Sequence, residues 1–227
     1  MELVKSSKWF KALAAALLVV AMGIGVNAIN IDRAYAVDSS PAITVNIQED
    51  GVIVDSSTVT RDQMQAAGKL KTEPMGFLYC KSNVWNVVGT NSYVNIADLF
   101  AVAGFSADWA AADASDYLAF TCTDGVYTKY YPTKAEVDRI QKFFGATTAS
   151  ATDATGGVDN KAVIAYSTNN APITGTYTAS DVLSTVLSGT TTAPRFCMGL
   201  VDGDDYTSSL AAGKRMPSNV TEITIVL

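Results

Sequence analysis

The stretch AVIAY at residues 162–166 decides the fold expected for this chain. It is a short, unbroken apolar run, a pattern typical of a fully buried strand. Further strand-like runs lie on either side of it in the sequence, separated by turn residues. These runs are residues 43–47, 52–54, 77–80, 85–88, 117–122, 196–201 and 220–227. The chain is therefore predicted to be rich in β-strands.

Three short segments have helical spacing instead, at residues 60–70, 95–103 and 134–144. Thr60 and Asn95 are each suited to cap a helix start, and Gly104 to end the second helix. Strands and helices together predict an α+β fold, a single β-rich domain with a few short helices. Neither a repeat nor a break in composition divides residues 37–227. Residues 146–159, mainly Ala, Thr, Ser, Gly and Asp, are expected to form a flexible surface loop.

The N-terminal 36 residues have the three parts of a secretory signal peptide. A start with three lysines is followed by an almost unbroken apolar run at residues 12–29 and by alanines at positions 34 and 36. We therefore expect cleavage before Val37, with Val26-Asn27-Ala28 as a second possible cleavage site. The mature domain is then expected to work outside the cytoplasm, secreted, at the cell surface or in a periplasm. The alternative is an uncleaved anchor, because the 18 residues of the apolar run can just span a bilayer.

Composition excludes several classes of function. Removal of residues 1–36 takes away four basic and two acidic residues, so the net charge goes from −6 to −8. We therefore expect no nucleic-acid partner and, after signal cleavage, no membrane partner. The chain contains no histidine, which excludes Ser-His-Asp and Cys-His catalysis and removes the commonest zinc ligand. Cys80, Cys122 and Cys197 either stay buried and unpaired or form one disulfide that leaves the third free.

The order of short segments from residue 43 onward resembles the molybdopterin-binding domain of the sulfite-oxidase-like oxidoreductases. The segments are residues 43–45 with 59–64, LYCKSN at 78–83, YVNIADLF at 93–100 with 103–104, 120–128, VIAY with NNAPI at 163–173, PRF at 194–196 with Gly199, and 220–223. They stand in the family's order across most of the chain after residue 40. The resemblance implies the fold of that family.

The resemblance also implies a site. Cys80 stands where the family's cysteine ligates molybdenum, and Tyr127 would lie near the substrate oxygen, so these two would be the catalytic residues. Arg195, Lys214 and Arg215 would hold the pterin phosphate. The implied activity is oxygen-atom transfer on a small anion or a sulfoxide, with molybdenum–molybdopterin as cofactor.

Departures from the family pattern support an alternative. Met216-Pro217-Ser218-Asn219 replaces a family segment that carries a lysine, and the family's histidines are missing. The alternative is a non-catalytic extracytoplasmic binding module on the same fold, without the cofactor, that binds a small molecule or a cell-surface partner.

The export signal gives a direct prediction. Intact-mass analysis of the protein recovered after export should give the mass of a chain that begins at Val37. A membrane-associated protein that keeps residues 1–36 would instead establish the anchor.

Overall fold

A computed structural model describes residues 41–81, 84–143, 158–166, 168–172, 193–199 and 215–227. The strands are β1 (Ala42–Glu49), β2 (Val52–Thr60), β3 (Met75–Lys81), β4 (Val84–Thr90), β5 (Tyr93–Asn95), β6 (Tyr117–Cys122), β7 (Gly125–Tyr127), β8 (Gln141–Phe143), β9 (Val158–Asn160), β10 (Val163–Ala165), β11 (Asn169–Pro172), β12 (Arg195–Cys197) and β13 (Val220–Val226). The helices are α1 (Arg61–Ala66), α2 (Ile96–Ala103), α3 (Ser106–Ala111) and α4 (Lys134–Asp138). The predicted β-rich α+β domain is thereby confirmed.

The largest sheet has five strands in the order β2-β1-β13-β6-β7. Strands β1 and β2 form a hairpin, and its turn residues Asp50 and Gly51 have φ values of 49° and 79°. Two successive positive φ values are the geometry that turns a two-residue hairpin in the same sense as the strand twist. Strand β13 lies between β1 and β6, parallel to β1 and antiparallel to β6. Alternate residues of these strands face one side and form a buried surface.

The AVIAY stretch forms β10 and its flanks, in the middle of a three-stranded sheet ordered β12-β10-β5. On one face, Ile164 packs with Phe196 in the core shared with the five-stranded sheet. On the other face, Val163 and Ala165 pack in a second core with Phe77 of β3. Each of these three β10 side chains is 0 % exposed. Both faces of β10 are therefore covered, which confirms the prediction of a buried strand and explains why its apolar run does not alternate.

Two of the predicted helices form, although α1 ends at Ala66 and is shorter than the predicted segment 60–70. The Thr60 hydroxyl accepts from the Gln63 backbone N–H at 3.1 Å, and the Gln63 side chain accepts from the Thr60 backbone N–H at 2.7 Å. This reciprocal pair fixes the start of α1. Gly104 ends α2 with a φ of 95°, a conformation that glycine adopts without strain. The Asn95 side chain makes no cap hydrogen bond, although Asn95 does stand at the N-cap position.

The helix predicted at residues 134–144 is too long. It ends at Asp138, and Arg139 is extended with a ψ of 140°. Residues 141–143 form β8, which pairs with β9. Gln141 stabilises this change of direction, because its side-chain amide donates to the Glu136 carbonyl at 2.9 Å and its carbonyl oxygen accepts from the Gly199 N–H at 2.6 Å. Strand pairing therefore overrides the helical spacing, and Ile140 is left 55 % exposed.

The loop predicted at residues 146–159 is wrong at its end. Val158 and Asp159 belong to β9 and pair with Phe143 and Lys142, while residues 146–157 lie outside the described residues, as does the signal segment at 1–36. Within the part of the chain that is described, no helix has the length and apolar character to cross a membrane.

Because both faces of β10 are covered, truncation of an isoleucine on β10 should destabilise the protein far more than truncation of an exposed isoleucine. Ile164→Ala should lower the free energy of unfolding by about 2–5 kcal/mol, because it leaves a cavity in the core shared with the five-stranded sheet. The matched control is Ile53→Ala on β2, where the side chain is 47 % exposed and the loss should stay within about 0.5 kcal/mol. Equal losses in urea unfolding would contradict the buried position of β10.

Candidate functional site

A cavity of about 260 Å³ lies beside the β6–β7 turn. One wall is formed by the end of β6, the turn, β7 and the two residues after β7, at positions 122 and 124–129, and the other wall is Arg195 with residues 216–218. Gly125 has a φ of 115°, which allows the chain to reverse between Cys122 and Tyr127. The cavity therefore unites parts of the chain that are far apart in sequence.

The second wall is held by a short backbone ladder. Arg195 forms a bridge with Ser218, Phe196 N–H donates to the Pro217 carbonyl at 3.1 Å, and Val220 N–H donates to the Pro194 carbonyl at 2.9 Å. Phe196 is 0 % exposed, and its ring centroid lies 4.7 Å from that of Phe120 on β6. The core thus fixes the backbone on both sides of Arg195.

The cavity carries charges of both signs. Asp124, Lys129 and Arg195 line it, and within the described ranges no ion pair joins Asp124 to Lys129. Cys122 also lines it and is 5 % exposed. Burial, and then the charge of Asp124, raise the pKa of the Cys122 thiol. Cys122 is therefore a neutral thiol at neutral pH and not a ready nucleophile.

The structure brings together two of the residues that the family resemblance assigned to one site. Tyr127 and Arg195 line this same cavity, although 67 positions separate them in the sequence. Arg215 directly precedes the lining residue Met216, and its guanidinium carbon lies 5.3 Å from the centre of the Tyr130 ring.

The other two assignments stay predictions. Cys80 lies on β3 opposite Trp85, where its backbone alone is described, and Lys214 lies outside the described residues. Cys122 and Cys197 are both buried free thiols, so these two do not form the disulfide left open by the sequence.

Sequence reasoning missed Asp124 and Lys129 as site residues. The residue pair Asp124-Gly125 is a turn signal, and a turn signal carries no information about what the neighbouring charges face across the fold.

A second polar group lies at the end of β10. The Tyr166 hydroxyl is buried and has no hydrogen-bond partner among the described residues. Arg61 is close enough to act on it electrostatically, and Arg61 Nε donates to the Ser92 hydroxyl at 3.0 Å. Burial raises the pKa of Tyr166, so its phenol stays protonated. Tyr166 belongs to a segment that carries the family resemblance, but the sequence indicated no role for it.

The cavity residues fit only part of a molybdenum–molybdopterin cofactor. Arg195 and Lys129 are suited to hold a phosphate. The described cavity, at about 260 Å³, is smaller than the roughly 300–1,000 Å³ of sites for drug-sized ligands. Within the described residues, no group of three or more His, Cys, Asp or Glu side chains could hold a metal ion.

Comparison with known proteins gives no relative: no protein-family model, curated protein or solved structure matches this chain. The resemblance to the sulfite-oxidase-like family therefore stays a prediction that rests on the segments quoted above.

Because Cys122 is a protonated thiol, it should react slowly with alkylating reagents. Asp124→Asn removes a negative charge that raises the pKa of Cys122, so a larger thiolate fraction and faster alkylation of Cys122 by iodoacetamide are expected at pH 8. Peptide mass spectrometry measures this rate at each cysteine separately. Asp55→Asn on β2 is the matched control and should leave the rate unchanged. An unaltered rate in Asp124→Asn would show that Asp124 does not act on this thiol.

Proposed function

We propose that residues 37–227 form an extracytoplasmic binding module that holds a small ligand with an anionic group in the cavity beside the β6–β7 turn. In this proposal the domain has a sulfite-oxidase-like fold and no molybdenum cofactor. The observation that carries the proposal is the position of Tyr127 and Arg195 on one cavity. The family resemblance, which rests on the sequence alone, assigns the same two residues to one site.

The charges of the cavity support an anionic group on the ligand. Two cationic side chains, Arg195 and Lys129, line it against one carboxylate, that of Asp124. A guanidinium offers a planar pair of donors that matches a carboxylate or phosphate, and an ammonium adds a second charge-assisted bond. The hydroxyls of Tyr127 and Ser218 line the same space and provide further donors.

Cys122, the cysteine that lines the cavity, lacks the surroundings of a catalytic nucleophile, and this favours binding over covalent catalysis. A cysteine nucleophile needs a neighbouring base or a cation that lowers its pKa. The chain has no histidine, and both burial and the carboxylate of Asp124 raise the pKa of Cys122 instead of lowering it. Recognition of charge and shape is what these residues are suited to do.

Binding of a simple anion tests the site. Isothermal titration with phosphate and with acetate should show binding to the purified exported protein. Arg195→Gln should weaken it by about tenfold or more, because a hydrogen bond to a charged group contributes about 1.5–3 kcal/mol. Lys69→Gln, which removes one positive charge from a residue paired with Asp98, is the control and should bind as the parent does. Equal affinities in parent and Arg195→Gln would contradict the site.

Metal analysis of the same protein distinguishes the cofactor-free binding module from the molybdenum oxidoreductase. Protein produced in a host that makes the cofactor is expected to contain neither molybdenum nor pterin. Near-stoichiometric molybdenum that disappears in Cys80→Ala would overturn the proposal and establish the oxidoreductase, with Cys80 as the ligand.

A further inference from the structure

Residues of opposite charge line the same cavity. Asp124 and Lys129 are both exposed and line the same 260 Å³ space, yet no ion pair within 4.0 Å joins them. Arg195 lies on the other wall with Ser218. The cavity therefore has one carboxylate and one ammonium group on its β6–β7 side and a guanidinium on its other side.

Two apolar residues also line the cavity. Met216 is 3 % exposed and belongs to the second core, and Pro217 beside it is buried. Both line the cavity on the same wall as Arg195. A ligand in the cavity can therefore place an apolar group against Met216 and Pro217.

The volume limits the size of the ligand. A cavity of about 260 Å³ lies just below the roughly 300–1,000 Å³ range of pockets for drug-sized ligands, so the ligand is smaller than these. A single amino acid of about the size of leucine belongs to that smaller class.

On the basis of the function proposed above, we propose that the ligand of this cavity is a small zwitterion, a free α-amino acid with an apolar side chain of about the size of leucine. Its carboxylate lies between Arg195 and Lys129, its ammonium group binds the Asp124 carboxylate, and its side chain contacts Met216 and Pro217. Phosphate and acetate match only the cationic part of the cavity. A dicarboxylate would place its second negative group against Asp124, where like charges repel.

Blocked leucine derivatives test each charge separately. Titration of the purified exported protein compares L-leucine with N-acetyl-L-leucine, which lacks the ammonium group, and with L-leucine amide, which lacks the carboxylate. Leucine should bind at least about tenfold more tightly than either derivative, since each loses a charged hydrogen bond. Asp124→Asn should bind leucine only as tightly as N-acetyl-leucine, and Arg195→Gln only as tightly as leucine amide. Asp55→Asn, which changes an exposed carboxylate on β2, should keep the full preference, and a thermal-unfolding midpoint for each variant shows that it is folded.

The outcomes distinguish this inference from the function on which it rests. If N-acetyl-leucine binds as tightly as leucine, or phosphate binds and leucine does not, the zwitterion is wrong and the anion site stands. If Asp124→Asn leaves the preference for leucine intact, the assignment of Asp124 is wrong. If neither phosphate, acetate nor leucine binds, the proposed function fails as well.

Discussion

Burial of the three-stranded sheet β12-β10-β5 on both faces is the constraint on which the rest of the structure depends. Ile164 and its neighbours on one side, and Val163 and Ala165 on the other, join two cores that would otherwise be separate. A protein interior is packed at crystal-like density, so a strand held in this way can hardly shift. The backbone segments that pair with β10 and β12 are therefore held in place as well.

The candidate site uses this rigidity. Arg195 is the first residue of β12, directly opposite Ala165, and the backbone ladder to residues 217–220 continues the sheet beyond it. The β6–β7 turn on the other wall is anchored through Phe120 to Phe196. A binding group is effective when the groups around it hold its position before the ligand arrives. Here the backbone on both walls is fixed, while the exposed Asp124 and Lys129 side chains stand on the short turn.

Local signals in the sequence predicted much of this fold. The Asp50-Gly51 turn, the Thr60 cap, Gly104 and the unbroken run at residues 162–166 each act through their own neighbours, so a single sequence is enough to recognise them. The segment at residues 134–144 failed because Gln141 makes its bonds to Glu136 and to Gly199, the latter a partner that no local pattern reveals. The register of β10 between β5 and β12 also depends on residues distant in sequence, so no local pattern predicts it.

The site was only partly predictable for a related reason. The family resemblance brought Tyr127 and Arg195 forward because it compares whole segments, and the cavity does unite them. The same resemblance assigned the metal-binding role to Cys80, whereas the cysteine that lines the described cavity is Cys122. Asp124 and Lys129 were missed since the role of a charge depends on what faces it across the fold. The wall that faces Asp124 and Lys129 forms by pairing of residues 195–196 with residues 217–218. This pairing is a tertiary contact, so no local sequence pattern reveals it.

The central position of β13 has a consequence for how the chain folds. Val45 pairs with Ile223, so the sheet closes only when segments about 180 residues apart meet, and contacts of that kind make folding slow. Until β13 arrives, β1 and β6 each present an open edge in the middle of the future sheet, and open edges pair readily with other chains. The nascent domain therefore has its greatest tendency to aggregate just before residues 220–226 take their place, and the slowest step of folding also removes that tendency.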